Sequence, residues 1–217
     1  VKRSGYQVRT TLDAGMQEAA VKSVDDNIAH IQRNGGSNAG VVAIDPADGE
    51  IRALIGSADY ENEKFGKVNM AITKRQPGSS FKPIYYSAAL ADGTITPTTI
   101  LKDEKTDFGG YQPENASRTF SGNVTVRQAL DWSLNIPSVK VMQKFGITDS
   151  VSAAKDMGIT TLGEPNKYGL SLPQGSAEVP LTEMTNAFEA FAGRGRQTNT
   201  KILTTFQNKL EMYIHIA

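Results

Sequence analysis

Arg75-Gln76-Pro77-Gly78-Ser79-Ser80-Phe81-Lys82-Pro83 is the stretch on which the fold and the chemistry turn. Pro77 and Gly78 interrupt any preceding regular structure. A helix starting behind them puts Ser79 and Lys82, at positions i and i+3, one above the other on one face. Ser79 then sits in the first turn, where free backbone N–H groups carry partial positive charge. A serine hydroxyl is a weak nucleophile until a neighbour takes its proton, and a desolvated lysine amine can be that neighbour. Pro83 falls in the first turns, where it has no N–H to offer the Ser79 carbonyl, and a broken local rule beside a nucleophile points to function. The bland reading is capping, since Ser, Gly and Pro are all common near helix starts. The functional reading is an acylating serine with its own base.

A second constellation supports the functional reading. Ser133-Leu134-Asn135 is followed by Ile136-Pro137 and preceded by Thr125-Val126-Arg127-Gln128. The latter is a capping box that opens a short helix through about Trp132. Pro137 suits the first position of the next helix, which Gly146 can close. Ser133 and Asn135 thus occupy a bend between two helices and can face one cleft. A hydroxyl relays protons, while a carboxamide donates to a substrate carbonyl and accepts from Lys82 at once. In isolation such a triplet is ordinary turn chemistry.

With these blocks in this order, the chain resembles the transpeptidase region of class A (bifunctional) penicillin-binding proteins, from about Gly5 to about Gly195. The resemblance includes Val8-Arg9-Thr10-Thr11-Leu12-Asp13, Val42-Ala43-Ile44-Asp45-Pro46, Gly49-Glu50-Ile51, Pro113-Glu114-Asn115 and Gly122 through Leu130. It implies an α+β fold like that of serine β-lactamases and penicillin-binding transpeptidases, a helical subdomain beside an antiparallel sheet. It also implies a D-Ala-D-Ala transpeptidase or carboxypeptidase acting on peptidoglycan stem peptides, acylated by β-lactam antibiotics and needing no cofactor or metal. Ser79 would attack the penultimate carbonyl, Lys82 would be its base, Ser133 would shuttle a proton to the leaving amine, and Asn135 would hold the substrate amide. The family's setting is the extracytoplasmic face of the bacterial membrane, with the anchor and a glycosyltransferase domain upstream of this chain.

The family's third motif, Lys-Thr/Ser-Gly, is absent: no lysine here is followed by Thr-Gly or Ser-Gly. The strand carrying it supplies a cation for the substrate carboxylate and one oxyanion donor. Loss of one such donor costs a factor of about 10² to 10³ in acyl-transfer enzymes. The expected fold therefore lacks its last strands and C-terminal helix. Residues 1–34 read as linker strand and helix, 35–198 as the N-terminal part of the transpeptidase domain, and 199–217 as an atypical tail. In that tail Leu210, Met212, Ile214 and Ile216 alternate with polar residues after a turn at Gln207-Asn208, as in a half-buried strand. The expectation is that residues 209–217 replace part of the missing sheet; otherwise its edge is open to self-association. Two alternatives stay open: a non-catalytic penicillin-recognition or structural remnant, and a serine β-lactamase.

Composition narrows the rest. The 217 residues carry 23 basic and 23 acidic side chains, so no net field favours nucleic acid or an anionic membrane. There is no cysteine and only two histidines, His30 and His215, which argues against thiol catalysis, a Ser-His-Asp triad and a zinc site. No apolar run is long enough to span a bilayer.

Along the chain, residues 5–11 read as an extended strand, and Asp13 caps a helix to about Gln32. Val41 to Asp45 and Ile51 to Ile55 read as a hairpin across Pro46-Ala47-Asp48-Gly49. Residues 57–74 read as loop, and the helix bearing Ser79 runs to about Ala91. Thr94 to Asn123 reads as one long irregular segment, in which Tyr111 and Asn115 either reach the cleft rim or serve loop packing, with packing favoured. Further helices fit 125–132, 137–145 and 149–157, and Leu181, Met184, Phe188 and Phe191 form a core stripe.

Overall fold

The computed structural model describes residues 7–207 and 213–215. The fold is α+β, as expected, and the described residues form three small antiparallel sheets among the helices. It divides into two compact units, one formed by residues up to Thr73 with those from Pro180 onward, the other by Lys74–Val179.

In the first unit, β1 (Gln7–Thr10) leads into α1 (Ala14–Arg33). Asp13 caps α1 by accepting from the Met16 N–H at 2.8 Å, which satisfies one of the orphan donors of the first turn. β2 (Val41–Ile44) and β3 (Ile51–Ile55) form the hairpin read from the sequence, registered Val41 to Ile55 and Ile44 to Ile51. Gly49 closes its loop at φ 73°, a conformation that favours glycine. Along β3 every second side chain, Ile51, Ala53 and Ile55, is buried. α1 meets β3 through Gln17, whose carboxamide accepts from Leu54 N at 2.9 Å and donates to Leu54 O at 3.1 Å. One side chain thus pairs a strand's free backbone groups as a neighbouring strand would.

The C-terminal part of this unit departs from expectation. α6 (Leu181–Ala192) buries Met184, Ala187 and Glu189, while Phe188 and Phe191 are partly exposed and pack edge-on against each other at 5.5 Å. The apolar stripe therefore covers a border of the core, with the small Ala187 on the buried face. β6 (Leu203–Gln207) pairs with β1, and β7 (Tyr213–His215) pairs with β6, giving the order β1-β6-β7. Strand pairing in the tail begins at Leu203, earlier than the alternation indicated. Leu210, Met212 and Ile216 lie outside the described residues.

The second unit is mostly helical. A 3-10 turn (Gly78–Phe81) runs into α2 (Lys82–Ala91), so the α-helix starts at Lys82 and Ser79 lies in the tighter turn before it. Pro83, second in α2, is tolerated because its missing N–H would be an orphan there. The segment from Thr94 to Asn123 is not wholly irregular. β4 (Ile100–Asp103) pairs with β5 (Gly122–Thr125), registered Ile100 to Thr125 and Asp103 to Gly122. This non-local pairing has no turn signal of its own, because 18 residues separate the strands.

Thr125 ends β5 and caps α3 (Val126–Asp131), with the capping box to Gln128 formed in both directions. α4 (Asn135–Phe145) starts two residues before Pro137, and α5 (Ile147–Asp156) follows directly on Gly146 at φ 108°. α2, α4 and α5 pack together around Phe81, Ile84, Tyr85, Ile136, Val139, Met142 and Val151, all buried. Within that core Ser138 Oγ donates to Leu134 O at 2.6 Å and meets Tyr86 Oη at 3.1 Å. No helix among the described residues is long and apolar enough to cross a membrane.

Candidate active site

Two adjacent hydroxyls, those of Ser79 and Ser80, stand on the turn before α2, and their environments separate them. Ser80 Oγ donates to Pro77 O at 2.6 Å and is spent on the turn. Ser79 is exposed, and its hydroxyl enters no hydrogen bond among the described residues. The turn that presents it is braced from two sides. Arg75 and Val179 exchange backbone hydrogen bonds of 3.2 and 2.9 Å. Gly175, at the end of the short turn Leu172–Gln174, rests on the Gly78 backbone.

Lys82 points the other way from the usual lysine. It is 1 % exposed, although lysines are almost never fully buried without partners. Its Nζ lies 2.6 Å from Ser133 O, 3.1 Å from Ser133 Oγ and 2.8 Å from Asn135 Oδ1. All three groups are neutral, so nothing in this set pays back the desolvation of an ammonium with an opposite charge. Burial accordingly pushes the Lys82 pKa down to about 8. The geometry suits the neutral amine. Its two N–H groups match the two carbonyl-type acceptors, and its lone pair is left for a hydroxyl proton.

The bend between α3 and α4 supplies these acceptors. Ser133 sits at φ 53°, a left-handed conformation that costs a non-glycine residue about 1–2 kcal/mol. Such strain persists where surrounding structure imposes it, commonly at functional sites. Here it turns both the carbonyl and the hydroxyl of Ser133 toward Lys82. Asn135, the first residue of α4, is held at both ends: its Nδ2 donates to Glu114 O at 2.7 Å, and its backbone N–H donates to Asn115 Oδ1 at 2.8 Å.

Thus Lys82, Ser133 and Asn135 are joined directly. The Lys82 backbone N–H donates to Ser79 O, but no side-chain hydrogen bond joins the two residues; the buried amine takes acceptors of Ser133 and Asn135. Two residues beyond the sequence reading complete the site's support. Asn115, read as loop packing, is buried and bonded to the Asn135 backbone, and its Nδ2 lies 3.0 and 2.9 Å from the two carboxylate oxygens of Asp103. Asp103 is fully buried at the end of β4 and carried no sequence signal.

The profile of the penicillin binding protein transpeptidase domain matches residues 39–212. The chain belongs to the penicillin-binding protein transpeptidase family. Penicillin-binding protein 2D of Bacillus subtilis is 34% identical over 219 residues, covering 97% of this chain and 30% of that protein. Penicillin-binding protein 1C of Escherichia coli is 32% identical over 198 residues, covering 90% of this chain and 25% of that protein. The chain therefore spans between a quarter and a third of the length of these relatives. Penicillin-binding protein 1A of Haemophilus influenzae superposes with a TM-score of 0.70 at 28% identity, over 83% of this chain and 27% of that one. PonA1 of Mycobacterium tuberculosis, solved in complex with penicillin V, shares the fold with a TM-score of 0.82 at 22% identity, over 98% of this chain and 58% of that one.

Proposed function

We propose that this chain carries the nucleophile-bearing part of a serine D,D-transpeptidase that acts on D-Ala-D-Ala stem peptides of peptidoglycan. The observation that carries this reading is the buried Lys82 amine, bonded to Ser133 and Asn135 and softened in basicity by its burial. A general base works best with a pKa near the operating pH.

In the first half-reaction, Ser79 Oγ adds to the penultimate D-alanyl carbonyl carbon and its proton passes to neutral Lys82. The tetrahedral intermediate breaks the C–N bond. The departing D-alanine nitrogen takes a proton through Ser133 Oγ, and Lys82 returns to the neutral amine. The product is an ester on Ser79. In the second half, an amine of a neighbouring stem peptide attacks that ester and loses a proton through the same relay, and Ser79 Oγ leaves as the restored hydroxyl. Asn135 Nδ2, together with the substrate amide it would engage, holds the reacting carbonyl in place. A β-lactam would be opened by the same attack, with its nitrogen still tethered.

In this reading residues 35–198 are the N-terminal part of the transpeptidase domain, with 1–34 as a linker strand and helix and 199–217 as an atypical tail. The site would face the extracytoplasmic side of a bacterial membrane. A second reading, acylation by penicillin without efficient transfer to a second stem peptide, would use the same Ser79 and Lys82.

Incubation with a fluorescent penicillin, followed by peptide mapping, separates these readings. Stable label on Ser79 that disappears in Ser79→Ala supports the acyl-serine site. Label at Ser80, or none, rejects it, and rapid drug turnover points to a β-lactamase.

A further inference from the structure

The chain of polar contacts behind Asn135 ends on a buried charge, and each link allows only one orientation. Asp103 is 0 % exposed; it accepts from Ser121 N at 2.8 Å and from Asn115 Nδ2 at 3.0 and 2.9 Å. A carboxylate accepts and cannot donate, so Asn115 must turn its NH₂ toward Asp103. The same NH₂ donates to Thr119 O at 2.9 Å. The Asn115 oxygen is thereby aimed the other way, at the Asn135 backbone N–H. That N–H belongs to the first residue of α4, an orphan donor which the local cap residue, Leu134, has no side chain to satisfy. Asn115 caps α4 from 20 residues upstream. The neighbouring Glu114 carbonyl takes Asn135 Nδ2, which leaves Asn135 Oδ1 facing Lys82.

We propose that Asp103 and Asn115 are positioning residues that set which end of the Asn135 carboxamide meets Lys82, and so keep the lysine lone pair free for the Ser79 proton. The last clause rests on the acyl-serine reading; the orientation of Asn135 does not. Neither residue touches the reacting atoms. Asp103 supplies a one-way acceptor, Asn115 converts it into a cap, and the 113–115 segment carries both constraints to Asn135. A buried polar chain of this kind is stable only when every member is satisfied, so a change at its far end is felt at the near end.

Asp103→Asn tests this with almost no change in volume. Asp103 Oδ2 accepts from both Ser121 N and Asn115 Nδ2; with the new amide oxygen in that place, its NH₂ takes the place of Oδ1, 3.0 Å from Asn115 Nδ2, and must oppose a donor. The expected result is release of Asn135 Oδ1 from Lys82. An ammonium that loses an acceptor is less stable, so the Lys82 titration midpoint falls, by about half a pH unit or more. No charged side chain is bonded to Lys82 among the described residues, which leaves the neutral acceptors as the groups to be read. The midpoint is followed by NMR on the whole chain labelled with carbon-13 at the lysine ε-carbon, alongside the maximal rate of penicillin labelling, expected to drop about tenfold or more.

If the unaltered chain takes no label, the acyl-serine reading fails while the midpoint still decides the role of Asp103. A folded Asp103→Asn chain with an unmoved midpoint overturns the proposal, even when labelling slows, because that pattern marks a purely structural role. Should Asp103→Asn fail to fold, Asn115→Ser, which withdraws the donor from Asp103 and the acceptor from Asn135, is read by the same two criteria.

Discussion

Gly175 lies so near Gly78 that a Cβ on it would stand 2.7 Å from the Gly78 Cα and nearer still to that residue's N and O. Gly175 also has φ 67°, so both the space and the backbone conformation demand glycine. The turn that presents Ser79 is thus seated on a second turn nearly a hundred residues later in the chain.

Gly175→Ala is expected to destabilise the chain by about 2 kcal/mol or more, the sum of left-handed strain and a backbone clash that no side-chain rotation relieves. Urea unfolding measures the loss. Penicillin labelling at Ser79 should also slow under conditions where the variant is still folded, because the clash displaces Gly78 directly.

The depressed pKa of Lys82 sets two pH dependences. Its folded value is about 8 against the ordinary 10.5, so between these values the unfolded chain binds more protons than the folded one. Stability from this group therefore rises as pH climbs from about 8 toward 10.5, and the cost of burying the ammonium is fully present below about 8. In the proposed mechanism acylation of Ser79 would need the neutral amine, so its rate should rise through pH about 8 and then level. Lys82→Ala should slow labelling by about 10² to 10⁴ and abolish that inflection. A retained inflection would mean another group is the base.

Asn135→Asp replaces an amide oxygen 2.8 Å from Lys82 Nζ with a carboxylate oxygen. The new anion stabilises the ammonium, so the lysine pKa rises and the neutral fraction at pH about 7, already a minority with a pKa of about 8, falls further. Labelling at pH about 7 should fall by about tenfold or more, with partial recovery at higher pH. Rates measured across pH distinguish this from a simple loss of substrate contact, which would not recover.

The buried hydroxyls of Tyr86 and Ser138 give an asymmetric pair of variants. Tyr86→Phe leaves Ser138 Oγ still donating to Leu134 O at 2.6 Å and should cost about 1 kcal/mol. Ser138→Ala leaves the Tyr86 hydroxyl buried without this partner and should cost more, about 1–3 kcal/mol. The double variant, compared by thermal unfolding, should be less damaging than the sum of the two.

Much of the layout was legible from local chemistry. The Asp13 cap, the Asp48-Gly49 hairpin, the Thr125–Gln128 capping box and the Gly146 break are each decided within a few residues, and each stands where the sequence puts it. The β4–β5 hairpin was missed because its pairing spans a segment with no periodic signal. Phe188 and Phe191 were assigned to the core on spacing alone, but helical periodicity identifies a face and not how far the neighbouring layer covers it.

The same division holds at the candidate site. The order of Ser79, Lys82, Ser133 and Asn135 along the chain determined which chemical groups were on offer and put the first two one turn apart. Only tertiary packing decided that Lys82 is buried, that its acceptors come from 51 and 53 residues away, and that Asp103 and Asn115 stand behind them. Desolvation and hydrogen-bond direction depend on what surrounds an atom in space, and a linear pattern holds no record of either.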